Sequence, residues 1–194
     1  MTFHDYYNAE GNTIAARFKT LERIRKQISD IRQAIEKHRP GADIPIGITE
    51  YNCKLFEDEG TSDVFSGLWT VAAVGEMLYG GLDFATQWDA FTQKRDNGGG
   101  HGFMIEMGVV PKAEYWALHL LSQFLGSELL AVEDSSDDLR TYASRDPSGA
   151  LFLVAVNTSQ DAAYTASVDL GGANVAPVAT GMRFSYHEYA WDPA

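Results

Sequence analysis

The sequence predicts an α/β segment followed by an all-β segment, and three observations carry that reading. Strand-like and helix-like runs alternate as far as residue 126. Beyond it, short strand-like runs recur between turn signals, the pattern of an antiparallel sandwich. Hydrophobic residues make up 45% of the 194 and aromatic ones 12%, enough for a folded interior of one good core or two modest ones. We place the domains at 1–126 and 127–194 on this basis.

The first strand is expected at residues 2–7, with Asn12-Thr13 as the cap of a following helix. From there Ile14, Phe18, Leu21, Ile24, Ile28, Ile31 and Ile35 recur in steps of three and four, one face of a single long amphipathic helix. Lys19, Glu22, Arg25, Lys26, Asp30 and Arg32 form its solvated side, and His38-Arg39-Pro40-Gly41 ends it. Ile44–Thr49 is apolar on both sides, as in a parallel strand covered by helices. A loop from Tyr51 to Ser62 leads to a second helix at 63–79, where Leu68, Val71, Ala72, Gly75 and Leu78 suit close packing and Gly80-Gly81 ends the run. Leu82–Trp88 is the third strand. The loop after it exceeds twenty residues and contains Asn97-Gly98-Gly99-Gly100-His101, and loops of that length in compact domains are functional or mobile. Pro111-Lys112 opens a helix through Leu125, stopped by Gly126. Strand-like runs then follow at Leu129–Val132, Leu139–Ser144, Leu151–Val156, Tyr164–Val168 and Arg183–Tyr189.

Bulk charge excludes some functions. A net charge of −12 with no offsetting Lys/Arg-rich face argues against nucleic-acid binding. No run reaches the ~18 apolar residues that a membrane-spanning helix needs. The single Cys53 excludes an internal disulfide and a cysteine metal cluster. His4, His38, His101, His119 and His187 show no i, i+4 pair, so no metal is expected, and Asp134–Asp138 reads as a solvated turn before a calcium loop. No cofactor is implied. No charged-then-apolar leader opens the chain, so a soluble protein is expected, cytoplasmic or, with an upstream segment, secreted.

The chemistry concentrates at strand ends. His4 and Tyr6 close the first strand, Glu50 and Asn52 the second, and Trp88 the third. In a parallel βα array these ends share one face, where barrels and open α/β sheets build their sites. A carboxylate, a phenol able to orient it and an indole platform suit a sugar: carboxylates carry glycosyl transfer, and the indole packs on the C–H face of the ring. The plain alternatives are a helix-capping Glu50, a scaffold His4 and a core Trp88. Of Tyr6 and Tyr7, one must pack inward, because neighbours on a strand face opposite ways.

Phe3-His4-Asp5-Tyr6, Ile46-Gly47-Ile48-Thr49-Glu50-Tyr51-Asn52, Phe84-Ala85-Thr86-Gln87-Trp88 and Pro111-Lys112-Ala113-Glu114-Tyr115-Trp116-Ala117-Leu118 together resemble the last three βα units of clan A glycoside hydrolases, retaining (β/α)8-barrel enzymes. The wording Thr-Glu-Tyr-Asn is most similar to family 44 endoglucanases, with arabinofuranosidase and xylosidase families next. The resemblance implies that Glu50 is the nucleophile, that Tyr6 hydrogen-bonds it, and that Trp88 floors the sugar subsite. It implies a C-terminal β-sandwich in residues 127–194 and an oligo- or polysaccharide substrate with β-glycosidic bonds of plant type. Against the family pattern, Cys53 stands where several relatives carry an aromatic residue, and the Asn-Glu pair that supplies the acid/base has no counterpart. A barrel of this class takes about 250 residues and eight strands, and three strands are visible here. Glu57, Asp58, Glu59, Asp89 and Glu106 are loop acids that could approach Glu50.

These readings make the chain a fragment of an enzyme, inactive alone, expected to recruit the missing N-terminal barrel half or to form a homo-oligomer through its open sheet edges. The alternative is a non-catalytic carbohydrate-binding or interaction module. A flavodoxin-like protein ranks below both, because Asn8-Ala9-Glu10-Gly11 lacks phosphate-loop spacing.

Overall fold

The computed structural model describes residues 1–8, 13–53, 63–92, 100–105, 110–134, 136–187 and 189. Among the expectations above, Asn12, Glu57, Asp58, Glu59, Glu106 and Gly98-Gly99 lie outside them.

Three parallel strands, β1 (Thr2–Tyr6), β2 (Gly47–Asn52) and β3 (Phe84–Gln87), form one sheet in the order β1-β2-β3. The crossover from β1 to β2 holds α1 (Ile14–Lys19) and α2 (Glu22–His38), and that from β2 to β3 holds α3 (Val64–Tyr79). The long first helix is thus two helices. Thr20 marks the break: its hydroxyl donates to the Arg17 carbonyl at 2.6 Å and accepts the Trp69 indole N–H at 3.0 Å. The apolar stripe runs through the break unchanged, so Phe18, Leu21, Ile24 and Ile28 all reach the core. Thr13 caps α1 by accepting the Ala16 N–H, and Asp63 caps α3 by accepting the Ser66 N–H at 2.7 Å.

Helices cover one face of this sheet. Phe3, Tyr7, Ile48 and Tyr51 pack with Leu21, Ile24, Ile28, Trp69, Ala72, Ala73 and Met77. At the N-terminal ends of the strands, Arg32 donates to the Ile44 and Gly81 carbonyls and to Asp83, whose carboxylate also accepts the Ile46 N–H at 2.6 Å. The opposite face is open: Phe84 and Trp88 are exposed by 45% and 46%, and β1 and β3 have no further strand beside them among the described residues.

The long loop after β3 carries structure of its own. Strands β4 (Phe91–Thr92), β5 (Met104–Ile105) and β6 (Val110–Pro111) form a small mixed sheet, followed by α4 (Ala113–Gln123), which packs on α3. The all-β part contains β7 (Glu128–Leu130), β8 (Leu139–Arg145) and β9 (Leu151–Asn157) in one antiparallel sheet. The strands expected at Tyr164–Val168 and Arg183–Tyr189 are not formed among the described residues, which are irregular from 158 onward. Among the described residues the all-β part is thus a single three-stranded sheet on α3, without the second layer that the sequence predicts. Alternation at Tyr164, Ala166 and Val168 satisfies the period of a strand, but a strand also needs a neighbour to take its backbone hydrogen bonds. The sheet shares the interior of the α/β part through Tyr142, Val154 and Val156. No helix among the described residues is long and apolar enough to cross a membrane.

Candidate active site

Parallel pairing sets the C-terminal ends of β1, β2 and β3 side by side. His4 lies opposite Glu50, Tyr6 opposite Asn52, and the Trp88 N–H donates to the Tyr51 carbonyl at 3.0 Å. On the open face the Tyr6 hydroxyl donates to Glu50 Oε2 at 2.6 Å, and His4 Nδ1 lies 3.5 Å from the same oxygen. Both contacts fall on Oε2, so Oε1 has no hydrogen bond among the described residues. Burial and the bond to Glu50 push the Tyr6 phenol well above its ordinary range, so it stays a donor to the carboxylate at any physiological pH. Tyr7, its neighbour, faces the other way, is fully buried and packs on Trp69. Trp88 stands exposed beside the pair, an unshielded aromatic platform.

Asn52 was expected on the substrate side and is placed otherwise. It is 2% exposed and its amide is fully used: Nδ2 donates to the Trp88 carbonyl at 2.6 Å and the His101 carbonyl at 3.0 Å, and Oδ1 accepts the Cys53 N–H. It ties β2 to the loop beyond β3 and offers nothing to a ligand. Cys53 is buried too, which pushes its thiol up to about 12 and leaves it unreactive.

His101, which sequence reasoning left in a glycine-rich loop, belongs to the site. Its ring meets Tyr6 edge-on, with centroids 5.5 Å apart and planes at 68°. Lys112 donates to the Gly100 carbonyl from a fully buried position, and the Phe103 N–H donates to the Asp89 carbonyl. The only signal available in sequence was a histidine next to glycines after a strand end. Of the loop acids, Asp89 is half-buried, its Oδ1 has no hydrogen-bond partner among the described residues, and burial raises its carboxyl against the smaller downward pull of its own backbone, His101 and Lys112.

No family model and no curated protein sequence matches this chain. Its structure is similar to a bifunctional glucanase-xylanase, CelM2, from a metagenome library (TM-score 0.56, 16% identity, covering 81% of this chain and 32% of that one). It is also similar to a Paenibacillus polymyxa xyloglucanase of glycoside hydrolase family 44 (TM-score 0.58, 15% identity, 83% of this chain and 34% of that one). A third match is a family 51 arabinofuranosidase from Xanthomonas axonopodis pv. citri (TM-score 0.57, 13% identity, 83% and 38%). At these identities the likeness is one of fold, to TIM-barrel glycoside hydrolases, and this chain spans about a third of each structure's length (32–38%).

Proposed function

We propose that this chain forms the last three βα units of a retaining glycoside hydrolase barrel, with residues 127–194 as the all-β portion that follows it, acting in endoglucanase-like fashion on β-glycosidic bonds of plant-type polysaccharide. The observation that carries the reading is the Glu50 carboxylate at a parallel strand end, oriented through Oε2 by the Tyr6 hydroxyl at 2.6 Å while Oε1 has no hydrogen bond among the described residues. In this reading Glu50 attacks the anomeric carbon as the bond to the leaving oxygen breaks, giving a glycosyl ester that water then hydrolyses. Tyr6 and His4 orient the nucleophile and meet the sugar, and Trp88 stacks on it. A second carboxyl about 5–5.5 Å from the nucleophile is needed to protonate ordinary leaving groups, and the further barrel strands would bring it.

A non-catalytic carbohydrate-binding module is the second reading. It is favoured by Trp88, an exposed ring beside the strand ends that can hold a sugar without any second carboxyl.

One reagent separates the two. In a 2,4-dinitrophenyl 2-deoxy-2-fluoro-β-glycoside the aryl oxygen leaves as a phenolate without a proton donor, and the fluorine slows the second step. Incubation with cellobiosyl and xylobiosyl forms should release one phenolate per chain and leave a sugar on the peptide containing Glu50, seen by mass spectrometry. The Glu50→Gln variant should release none. Sugar binding without any Glu50 adduct would sink the enzyme reading and leave the binding module.

A further inference from the structure

We propose that His101 is a positioning residue for the Glu50 nucleophile, acting through Tyr6; as a statement about catalysis this rests on the reading of Glu50 above. A tyrosine hydroxyl orients a carboxylate only while its ring keeps one rotamer, and on an open sheet face a ring is free to swing toward solvent. Edge-on contact from His101 is the brace that prevents this on the described surface of Tyr6. The hydroxyl then stays on Oε2, and Oε1 keeps the direction in which it meets an anomeric carbon.

What makes the contact more than a chance neighbourhood is how firmly the histidine is placed. Two consecutive carbonyls of its loop, those of Gly100 and His101, each accept a hydrogen bond from a buried side chain on a different element: Lys112 at 2.8 Å and Asn52 at 3.0 Å. Gly100 takes φ +100°, a conformation that side-chain-bearing residues rarely adopt, and it is buried against Thr92. Gly102 lies so close to the Phe91 and Thr92 backbone that a Cβ would collide. Two further backbone bonds, Phe103 to Asp89 and Met104 to Ala90, close the segment onto the end of β3. The Lys112 ammonium that holds the Gly100 carbonyl is itself fully buried, so its position is fixed by the packing around it and the loop is fixed with it. A nucleophile that must be placed to a fraction of an ångström needs such a support.

Lys112 and Asn52 therefore form a latch, His101 is what the latch presents, Tyr6 is what His101 steadies, and Glu50 is the end of the chain of contacts. His101 need not touch the sugar in this scheme.

The test uses the full chain with two independent readouts. NMR of ring-labelled tyrosine, with Tyr6→Phe for assignment, reports the Tyr6 ring and its hydroxyl bond without any sugar. The rate of Glu50 labelling by the dinitrophenyl fluoroglycoside reports the nucleophile. In His101→Ala the Tyr6 signal should move toward that of a solvated tyrosine, and labelling at saturating reagent should slow by about 10-fold, the scale of a lost aromatic edge contact, with the reagent's apparent Kd unchanged. His101→Phe, which keeps a ring edge, should restore both. Lys112→Met, which removes the latch donor, should reproduce His101→Ala. An unmoved Tyr6 signal in a folded His101→Ala variant would overturn the proposal, and so would a weaker Kd that Phe does not rescue, since that places His101 on the sugar. If the Tyr6 signal behaves as stated but no chain is ever labelled, the positioning of Tyr6 stands and the nucleophile assignment of Glu50 falls.

Discussion

Glu114 opens α4 with no exposed surface, and neither carboxylate oxygen has a hydrogen-bond partner among the described residues. Loss of water pushes its carboxyl up to about 8, against the downward pull of Lys112 and Arg17 and with the upward push of Asp63. The folded protein therefore keeps a proton on Glu114 at a pH where the unfolded chain has released it. Stability from this group is fully present below the ordinary carboxyl range and is lost as pH rises through about 8. Burial lowers Lys112, which acts in the opposite sense toward higher pH and is present in both proteins compared here. Glu114→Gln keeps shape and removes the titration. Urea midpoints should fall more from pH 5.5 to pH 8.5 in the native sequence than in the variant, and parallel profiles would count against a neutral Glu114. Nothing in the sequence signalled this. Glu114 reads as an acid in the first turn of a helix, where it is usually solvated, and it is chain distant in sequence, with Arg17 and Asp63 among its neighbours, that encloses it. For Tyr6 and Glu50 the residues themselves show only two strand ends; their hydrogen bond, across 44 residues of sequence, was implied by the family resemblance and is present in the structure. His101 was not legible, because its position depends on Asn52, which lies 49 residues away in sequence.

Among elements, α3 shows most directly how local preference and packing can oppose each other. Gly75 faces the Tyr142 ring of β8, and a Cβ there would collide with it, 2.3 Å from Cζ. The same tyrosine donates to the Ala72 carbonyl at 3.0 Å and to Glu76 at 2.8 Å, and Glu76 is also paired with Arg25 of α2. Helix propensity alone favours alanine over glycine by about 1 kcal/mol. Overpacking a filled contact costs about 1–3 kcal/mol, and here it would also push Tyr142 off two buried partners. Gly75→Ala should therefore destabilise, seen as a lower urea midpoint with an unchanged slope; a gain in stability would mean that the sheet can slide away from α3. Close packing by this glycine was readable in advance from the run Leu68, Val71, Ala72, Gly75 and Leu78. Its partner was not, because a helix face announces that something packs on it without saying what. The break at Thr20 escaped notice in the same way, since Phe18, Leu21 and Ile24 keep their spacing across it.

At the level of the whole molecule the two parts share one interior, with Val154 and Val156 of β9 packed into the same core as Ile48 and Trp69. That core accounts for only one face of the parallel sheet. The other presents Phe84 and Trp88 to solvent, and the edges of β1 and β3 are unpaired among the described residues. Unpaired parallel edges next to exposed aromatic rings are a template for association, and proteins that keep such edges monomeric usually blunt them with charge. Here the β3 edge reads Phe84-Ala85-Thr86-Gln87, with none, whereas β1 carries Asp5, paired with Arg23. The net charge of −12 opposes self-association over distance, but at physiological salt that repulsion is screened within about 8 Å, so contact between faces decides. Sedimentation velocity should show a concentration-dependent shift toward dimer or larger species. Phe84→Glu, which sets a charge on the open edge and removes the ring over Gly47, should move the shift to higher concentration. A native chain that sediments as one monomeric species at every concentration, and unfolds in a single transition, would show that this face is stable in water by itself. The expectation of a partner, whether further barrel strands or a second copy, would then be wrong.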